Sequence, residues 1–488
     1  MLSNVAEILD APAEQDPDRV ALVVDGDTAW SYGQLLDETL HWATTLSDAG
    51  VQEGDRLALV DWGGARSTAA TLAAAHIGAA TAHMNPLLTT NELAALVDVS
   101  YCISIGVANP ESLWGLHEVL GPDATVLSDR RARAVTLPRA EGGDRAAMVL
   151  FTSGTTGLPK PVAISHQSLL ERVQGYRPAF ATDRRAGVSL MCVPSFHVGG
   201  IVGLLLNLFA GDTTVLQARF DAGEWLALVE RHRVESGFVV PTMLARILDH
   251  PDFGRTDLTS LRRLAYGAAA ASPNLVRRAM QAWPSVEFSN VFGQTETLGA
   301  YTALSADEHR DPRRAGSVGR PMPGVEIRIV DPNTDLEVAV GEVGELWVHA
   351  PQNMVDDWLQ TGDLVVQDPE GYLYPQGRRG DVINRGGEKF SPLEIAEALR
   401  SHPAVEEAAV VGVPDDEMGE RVGVAIVLVE GARTPGLDEL RAWSRDRLAT
   451  FKQPEVVVLV DELPVNELGK LPRSKLVELI ASVGEQQP

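Results

Sequence analysis

Cysteine is scarce in this sequence of 488 residues: only Cys102 and Cys192 occur, and neither belongs to a CxxC pattern. The sequence therefore argues against a disulfide scaffold and a cysteine-based metal site, and reduced thiols are typical of a cytoplasmic protein. The pattern of residues 1–10 does not predict a signal peptide, because it carries acidic residues where such a peptide needs basic ones. The most apolar stretches, such as residues 199–211, stop short of the ~18–20 residues that a membrane span requires.

Basic residues are few as well, with 41 Lys and Arg against 67 Asp and Glu and a formal net charge of −26. This balance excludes a nucleic-acid binder that relies on a general basic surface, and an anionic small substrate fits only where basic side chains gather locally. Apolar residues make up 45% and charged residues 22%, which excludes a disordered or fibrous chain. The length predicts roughly two to four domains.

Strand-length apolar runs alternate with helix-length amphipathic stretches, which predicts α/β architecture. We expect strands at 56–60, 147–151 and 237–240, and a helix rich in small residues at about 67–80. Beyond about residue 321 the hydrophobic period changes to two, as in 325–330 and 344–349, which indicates a β-rich subdomain.

A second unit is predicted to begin near residue 377. Ser391 is a hydroxyl N-cap, Pro392 occupies the first helical position and Glu394 lies three residues after the cap, so a helix should run from here to about residue 401. The remaining predicted elements of this unit are strands at 405–413, 422–429 and 455–460 and a helix at 437–448.

The strongest chemical signal is the polar segment 152–160, which directly follows the predicted strand 147–151. Its glycines allow backbone N–H groups to approach a ligand, its hydroxyls donate hydrogen bonds and its lysine adds positive charge, so it can wrap an oligophosphate. It is not a Walker A loop, because no glycine is followed directly by Lys-Ser or Lys-Thr. An ordinary polar turn is the alternative. The residues concerned are Thr152, Ser153, Gly154, Thr155, Thr156, Gly157 and Lys160.

This string resembles the phosphate loop of the adenylate-forming superfamily, which includes acyl-CoA synthetases, peptide-synthetase adenylation domains and firefly-type luciferases. Further motifs similar to those of the family follow in the expected order, and the resemblance covers nearly the whole chain. They are Pro194-Ser-Phe-His197-Val-Gly-Gly, Phe292-Gly-Gln-Thr-Glu296, Thr361-Gly-Asp363, Gly377-Arg378, Pro392-Leu-Glu394 and Gly469-Lys470-Leu-Pro-Arg473.

The resemblance implies an acyl-CoA ligase that works in two half-reactions. A carboxylate attacks the α-phosphate of ATP to give an acyl-adenylate and pyrophosphate, and CoA then displaces AMP. The implied fold has a large N-terminal domain (1–379) of two α/β subdomains plus a β-rich subdomain. A small, mobile C-terminal α+β domain (380–488) would rotate about a hinge at Arg379 and Gly380 between the two steps.

The resemblance also implies residue roles, although taken alone an acid, a turn aspartate or a loop lysine is more often merely solvated. Glu296 would bind Mg²⁺ and Thr295 would lie near the α-phosphate. Asp363 and Arg378 would hold the ribose, and Lys470 would offset charge in the adenylation transition state. The other implied positions are Gly267, Ala268, Phe292 and Gly293 for the nucleotide, His197, Val198 and Gly199 for the acyl pocket, and Gly386, Gly387 and Lys389 for CoA.

His197 has an alternative interpretation as a satisfied core histidine, because its surroundings are apolar and rich in glycine. As part of the acyl pocket it would be a wall and not a general base. Its apolar neighbours Val198, Ile201 and Val202 favour a hydrophobic or bulky acid. Lys160, Arg378, Lys389, Lys470 and Arg473 are the local cations expected to attract ATP and CoA despite the acidic surface.

Three departures from the family pattern bear on the two half-reactions. Pro161 follows Lys160 where the family usually has glycine, which removes a backbone N–H donor. Gly380 replaces the charged hinge residue, and the segment before Thr361 is short, with Gln360 at a usually basic position. A protein that catalyses only thioester formation from a preformed acyl-adenylate is therefore an alternative hypothesis.

Other readings also stay open at the level of the sequence. The acceptor can be CoA or a separate carrier protein, and a luciferase-type oxygenase has no specific support. A non-catalytic nucleotide-binding protein is disfavoured, because Glu296, Asp363, Arg378 and Lys470 are all retained. The sequence decides neither the identity of the acid nor whether the protein is a monomer or a homodimer.

Overall fold

The computed structural model describes residues 2–24, 26–108, 110, 113–129, 137–152, 160–180, 187–269, 271–353, 357–385, 388–415, 418–445, 447–465 and 471–484. The strands in this part of the chain are β1 (Val20–Val24), β2 (Thr28–Ser31), β3 (Arg56–Val60), β4 (Ala80–Met84), β5 (Ile105–Ala108), β6 (Thr125–Leu127), β7 (Ala146–Thr152), β8 (Lys160–Ser165), β9 (Val188–Met191), β10 (Thr213–Leu216), β11 (Ser236–Val239), β12 (Arg263–Gly267), β13 (Glu287–Gln294), β14 (Gly299–Leu304), β15 (Arg320–Pro321), β16 (Glu326–Val330), β17 (Val343–His349), β18 (Leu359–Gln367), β19 (Leu373–Arg378), β20 (Ile383–Arg385), β21 (Glu388–Phe390), β22 (Val405–Asp415), β23 (Gly419–Leu428) and β24 (Val456–Leu459).

Helices connect most of these strands. They are α1 (Asp10–Gln15), α2 (Tyr32–Asp48), α3 (Ala65–His76), α4 (Thr90–Ser100), α5 (Leu113–Leu120), α6 (His166–Phe180), α7 (Val198–Phe209), α8 (Ala222–His232), α9 (Pro241–Asp249), α10 (Pro273–Ala282), α11 (Ala306–His309), α12 (Pro392–Arg400), α13 (Leu437–Ser444) and α14 (Arg473–Gly484). Single turns of 3-10 helix occupy Val5–Leu9, Thr295–Thr297, Pro312–Arg314 and Thr450–Lys452.

Two large sheets form the first α/β part of the molecule. One has the order β6-β5-β3-β4-β7-β8, and the other has the order β15-β14-β13-β12-β11-β9-β10-β1-β2. The central strands of both sheets run parallel, whereas β8 pairs antiparallel with β7 and β14 pairs antiparallel with β13. The α/β prediction is confirmed, and parallel strands bring their carboxyl ends to one edge of each sheet.

Helix α3 shows how local sequence sets the packing between elements. Its alanines from Ala69 to Ala75 are buried against α2, because small side chains allow two helices to approach closely. The predicted helix at 67–80 is too long at its C-terminal end. Gly78 adopts φ +81°, a left-handed conformation that ends the helix, and Ala80 already begins β4.

The β-rich subdomain is confirmed as an antiparallel sheet with the order β16-β17-β18-β19. Alternate residues of its strands, among them Leu346, Val348 and Val365, are buried and pack with Tyr301 of β14. The period-two pattern of the sequence therefore faces a core on one side, as expected for a half-buried antiparallel sheet.

The C-terminal unit contains the sheet β22-β23-β24 with helices on both faces. Alternation along β22 places Ala408 and Val410 in the cluster with α12, and Ala409 and Val411 in the cluster with α14. Ser391 caps α12 as predicted by accepting from the N–H of Leu393 at 3.1 Å.

The structure adds to or differs from the sequence prediction at two places in this unit, the first turn of α12 and the end of α13. Glu394 forms an ion pair with Lys452 at 2.7 Å, which ties the first turn of α12 to the 3-10 turn before β24. Helix α13 ends at Ser444 instead of Leu448.

Among the helices of the described ranges, none has both the length and the apolar content to cross a membrane. The apolar run at 199–211 corresponds to α7, whose residues Ile201 and Leu205 are buried between other elements. Cys192 is fully buried, and burial raises the pKa of its thiol to about 12.

Candidate active site

Two glycines allow backbone segments to meet at the carboxyl ends of β12 and β13. A Cβ atom on Gly267 would lie 2.1 Å from the carbonyl oxygen of Val291, and one on Gly293 would lie 1.9 Å from that of Gly299. No side chain fits at either position without backbone movement. Ala268, which follows Gly267, has φ +68°, an uncommon left-handed conformation for a residue with a side chain.

Thr295 and Glu296 lie on the 3-10 turn between β13 and β14. Thr297 fixes this turn, because its hydroxyl accepts from the N–H of Gln294 at 3.2 Å and donates to the carbonyl of Gly299 at 2.7 Å. Thr297 and Leu298 are buried, whereas Thr295 and Glu296 are partly exposed. The turn thus presents one hydroxyl and one carboxylate to the space beyond the strand ends.

The polar loop after β7 begins beside this turn. Its residues Ser153, Gly154, Thr155, Thr156 and Gly157 lie outside the described residues, but β7 contacts the turn Thr295–Thr297. Thr152 and Lys160 are cross-strand partners that close the β7–β8 hairpin, and Lys160 is exposed. Strand β7, which leads into the loop, thus packs beside the turn that carries Glu296, and the role of the loop stays a prediction.

Pro161 pairs with Phe151 one residue further along the same hairpin. Strand β8 is the edge strand of the six-stranded sheet. An edge strand accommodates proline, because only one side of such a strand pairs with a neighbour. The strand pairing therefore continues through Pro161.

Asp363 and Arg378 are cross-strand partners on β18 and β19 and form an ion pair. The Nε atom of Arg378 donates to Oδ1 of Asp363 at 2.8 Å, and its Nη2 atom donates to the carbonyl of Thr361 at 3.1 Å. The side chain of Asp363 is 15% exposed and that of Arg378 is 53% exposed. Burial opposes the charged form of Arg378, but the charge and hydrogen bond of Asp363 outweigh it and raise the pKa of the guanidinium.

Tyr301 connects this ion pair to the end of β13. Its hydroxyl lies 3.5 Å from Oδ2 of Asp363, and its ring packs edge-on against Phe292 with centroids 5.4 Å apart. Complete burial, followed by the charge of Asp363, raises the pKa of Tyr301 well above its usual value. Phe292, Tyr301 and Asp363 thus form one chain of contacts that leads from β13 to β18, with the buried Tyr301 in the middle.

Glu345 is a buried acid that the sequence analysis missed. Its carboxylate accepts from the N–H of Gly362 at 3.2 Å and pairs with Nη1 of Arg379 at 3.1 Å. One side chain therefore fixes both the turn before Asp363 and the residue at the expected hinge. Alternation along 344–349 places Leu346 and Val348 on the core side and Glu345 on the opposite side, so no local pattern identifies this acid.

The expected acyl-pocket segment lies at the start of α7. His197 occupies the N-cap position, and its ring packs against Phe196 with centroids 4.6 Å apart. A Cβ atom on Gly199 would lie 3.2 Å from the ring of Phe238, so the segment packs closely on β11. Val198 is partly buried beside it.

The expected CoA and lysine positions are covered only in part. Gly386, Gly387 and Lys470 lie outside the described residues, and for Lys389 only the backbone is described, as a partner of Asn384 in the β20–β21 hairpin. Arg473, at the start of α14, donates to the carbonyl of Gly380 at 3.2 Å and to Glu420 at 2.6 Å. The helix that follows Lys470 is thus fastened to the expected hinge.

No cluster of three or more histidine, cysteine or carboxylate ligands is present within the described residues. Glu296 stands as a single partly exposed carboxylate beside the start of the polar loop. Mg²⁺ is commonly held by one or two carboxylates together with substrate phosphates, so this arrangement fits a magnesium ion that arrives with a nucleotide.

The fold and these strand-end groups define an adenylate-forming enzyme, and comparisons with known proteins agree. The profile of the family described as AMP-binding enzyme matches residues 9–355, and that of the AMP-binding enzyme C-terminal domain matches residues 394–470. The chain belongs to this AMP-binding enzyme family.

Individual relatives extend over nearly the whole chain. The fatty acid–acyl-carrier-protein ligase ScoC of Streptomyces coeruleorubidus is 30% identical over 97% of this chain and 96% of its own. A feruloyl-CoA synthase of an Amycolatopsis species is 32% identical over 91% of this chain and 93% of its own. The crystal structure of ATP-bound MatB from Rhodopseudomonas palustris superposes with a TM-score of 0.88 at 27% identity and covers 97% of this chain and 98% of its own.

These findings establish the reaction class. The protein is an AMP-forming acid–thiol ligase of the acyl-CoA synthetase type, which activates a carboxylic acid through an acyl-adenylate.

Proposed function

We propose that this protein converts a carboxylic acid to its CoA thioester in two half-reactions, with ATP and Mg²⁺ as co-substrate and cofactor. The observation that supports the proposal is the contact chain from Phe292 through the buried Tyr301 to Asp363, together with the turn that carries Glu296 and contacts β7. These residues include an aromatic ring, a candidate acceptor for ribose hydroxyls and a carboxylate for Mg²⁺, which are the groups that adenine, ribose and phosphates require.

The nucleotide would bind across the carboxyl ends of β12 and β13 and beside Asp363 in the middle of β18. Gly267 and Gly293 allow the strand backbones that border the nucleotide to pack closely, and Ala268 would present only a methyl group to it. Asp363, held in place by Arg378, would accept hydrogen bonds from the ribose hydroxyls. The loop from Thr152 to Lys160 would surround the phosphates with hydroxyl groups and backbone N–H donors.

The adenylation step would place negative charge on the oxygens of the α-phosphate. Thr295 would donate a hydrogen bond there, and Glu296 would hold Mg²⁺, which offsets that charge. Lys470 would bring a further positive charge to the attacking carboxylate and the α-phosphate. The acid would lie against His197, Val198 and Gly199.

We further propose that residues 1–379 and 380–488 act as two bodies with a hinge at Arg379 and Gly380. Arg379 is held on the N-terminal side by Glu345, whereas Gly380 contacts Arg473 of the C-terminal side. In the second half-reaction, the segment with Gly386, Gly387 and Lys389 would then replace Lys470 beside the acyl-adenylate, where the thiol of CoA attacks.

The test separates the half-reactions. ATP–pyrophosphate exchange across a panel of aliphatic, aromatic and polycyclic acids should identify the acid, and Lys470→Ala should abolish exchange. The same variant should largely retain thioester formation from a preformed acyl-adenylate and CoA. The control is Lys475→Ala, an exposed lysine on α14 that should leave both steps unchanged.

Two outcomes would contradict parts of this proposal. Equal loss of both steps in the Lys470→Ala variant would refute the assignment of Lys470 to adenylation. Absent exchange together with thioester formation from added adenylate would favour an enzyme of the second half-reaction alone.

A carrier protein is the second candidate acceptor, because the ScoC relative is named as a ligase for an acyl-carrier protein. Parallel assays with CoA and with a phosphopantetheinylated carrier protein distinguish the two acceptors. We expect CoA to give the larger kcat/KM, and a reversed preference would assign the protein to carrier loading.

A further inference from the structure

A small cavity lies next to the expected acyl-pocket segment. It occupies about 20 Å³ between the loop after β3, the loop after β9 and the end of β10. Ser195 and Gly200, which flank His197, Val198 and Gly199 in the sequence, both line it. The N–H of Ser195 donates to the carbonyl of Trp62 at 3.1 Å, so two of the cavity walls are fastened together.

Three polar atoms of the cavity-lining residues are buried and lack a hydrogen-bond partner within the described part of the chain. They are Nε1 of Trp62, Oγ of Ser195 and Oε1 of Gln217. Ser195 is 8% exposed and Gln217 is 4% exposed. Buried polar groups are nearly always paired in native proteins, so three such atoms on residues that line one cavity require a polar partner, either a water molecule or a polar ligand atom.

The hydrogen-bonding character of the cavity is fixed by its surroundings. Nε2 of Gln217 donates to the carbonyl of Asp221 at 2.9 Å and to the carboxylate of Glu224 at 3.0 Å, so the amide oxygen is the atom left unpaired. The indole N–H of Trp62 can only donate. Its ring is held by the guanidinium of Arg219, 4.5 Å from the ring centroid, and by Phe196.

A hydroxyl group complements this arrangement. It can accept from the indole N–H and donate to the oxygen of Gln217, while Ser195 can donate or accept. A carboxylate is unsuitable, because it would face the amide oxygen of Gln217 without a proton between them. A methyl group would leave all three polar atoms unpaired. The volume holds about one water-sized group.

We propose, as an extension of the proposed function, that this cavity recognises a hydroxyl group at the end of the substrate acid opposite its carboxylate. Trp62, Ser195 and Gln217 then determine specificity for hydroxylated acids, such as phenolic or ω-hydroxy acids. The cavity has room for the hydroxyl alone, and its apolar lining residues such as Met191 and Val193 would contact the carbon atom that carries this group.

The test compares matched acids with and without the hydroxyl. Cinnamic acid is paired with 4-hydroxycinnamic acid, and octanoic acid with its ω-hydroxy derivative, in ATP–pyrophosphate exchange. We expect the hydroxylated member of at least one pair to be preferred by about tenfold or more in kcat/KM. Trp62→Phe and Ser195→Ala should each reduce this preference at least ~5-fold while kcat/KM for the unsubstituted acid changes less than ~2-fold.

Trp347→Phe is the matched control. Trp347 lies on β17, and its indole N–H is also buried without a partner among the described residues, but it does not line the cavity. The control should keep the full preference for the hydroxylated acid. A wild-type protein without preference, or a preference that both cavity variants retain, would overturn the proposal and leave the cavity as the site of a structural water only.

Failure of the proposed function is distinguishable from failure of this inference. If no acid supports exchange, the proposed function is wrong, and calorimetric binding of the same acids in the presence of AMP decides the inference. Tighter binding of the hydroxylated acid that Trp62→Phe removes would support it. Equal binding of both members of each pair would contradict it.

Discussion

The ion pair between Asp363 and Arg378 makes a sharp prediction for nucleotide binding. Asp363→Asn preserves the shape of the side chain but removes its charge. If Asp363 accepts hydrogen bonds from the ribose, the substitution should weaken at least one charge-assisted hydrogen bond, which contributes about 1.5–3 kcal/mol. Because Asn can still accept a neutral hydrogen bond, the net loss is about 1–1.5 kcal/mol. It corresponds to an increase of about 5- to 13-fold in the KM for ATP in the pyrophosphate exchange assay.

The stability of the fold should change much less. Arg378 is 53% exposed, so water can solvate its charge after the partner is neutralised. Exposed ion pairs contribute about 0–1 kcal/mol, and the turn before Asp363 keeps its own contacts through Thr361 and Glu345. We therefore expect the melting temperature, followed by differential scanning fluorimetry, to fall by less than ~4 °C.

Glu337→Gln is the control for this experiment. Glu337 faces Arg328 at 3.4 Å in the same β-rich subdomain, and both side chains are exposed. It should change neither the KM for ATP nor the melting temperature. An unchanged KM in Asp363→Asn would refute the ribose contact, and a large fall in melting temperature would show that Asp363 acts mainly as a structural residue.

Two further predictions concern the C-terminal unit and the core. Arg473→Gln should reduce pyrophosphate exchange about tenfold and spare thioester formation from added adenylate. The reason is that Arg473 connects the helix after Lys470 to the carbonyl of Gly380. Equal effects on both steps would contradict this role. Burial lowers the pKa of His83 to about 4, so between pH 6.5 and 4 the unfolded state binds more protons and stability falls as the pH decreases. Urea unfolding should show a loss of about 2 kcal/mol from this group between pH 7 and pH 5, and His83→Gln should flatten that slope.

Local sequence patterns predicted the secondary structure well where one rule dominates. The strand at 56–60 appears with the predicted bounds, because an apolar run between turn signals leaves little choice. Helix α12 begins after Ser391, because the hydroxyl cap and Pro392 both specify its first turn. The pattern failed at the end of α3, because a run of alanines does not reveal that Gly78 adopts a left-handed conformation.

The candidate site could be named from motifs, but its connections could not. The motif with Asp363 and the motif with Arg378 are separated in the sequence, and only the register of β18 and β19 makes the two residues partners. Tyr301 and Glu345 belong to none of the motifs. Both act through burial and position, which depend on how sheets pack and not on any local pattern.

The structure also changes how attraction between this acidic protein and its anionic substrates should be understood. Five cations were expected to attract ATP and CoA, yet Arg378 is neutralised by Asp363 and Arg473 by Glu420. Each of these guanidiniums therefore adds little net positive potential and acts mainly to orient its partner. In the proposed function, compensation of the phosphate charge would then depend on Lys160, Lys470, Mg²⁺ at Glu296 and backbone N–H donors, all of which act at short range. A protein of net charge −26 can consequently bind a polyanion without a basic surface, because the required positive potential exists only where the phosphates lie.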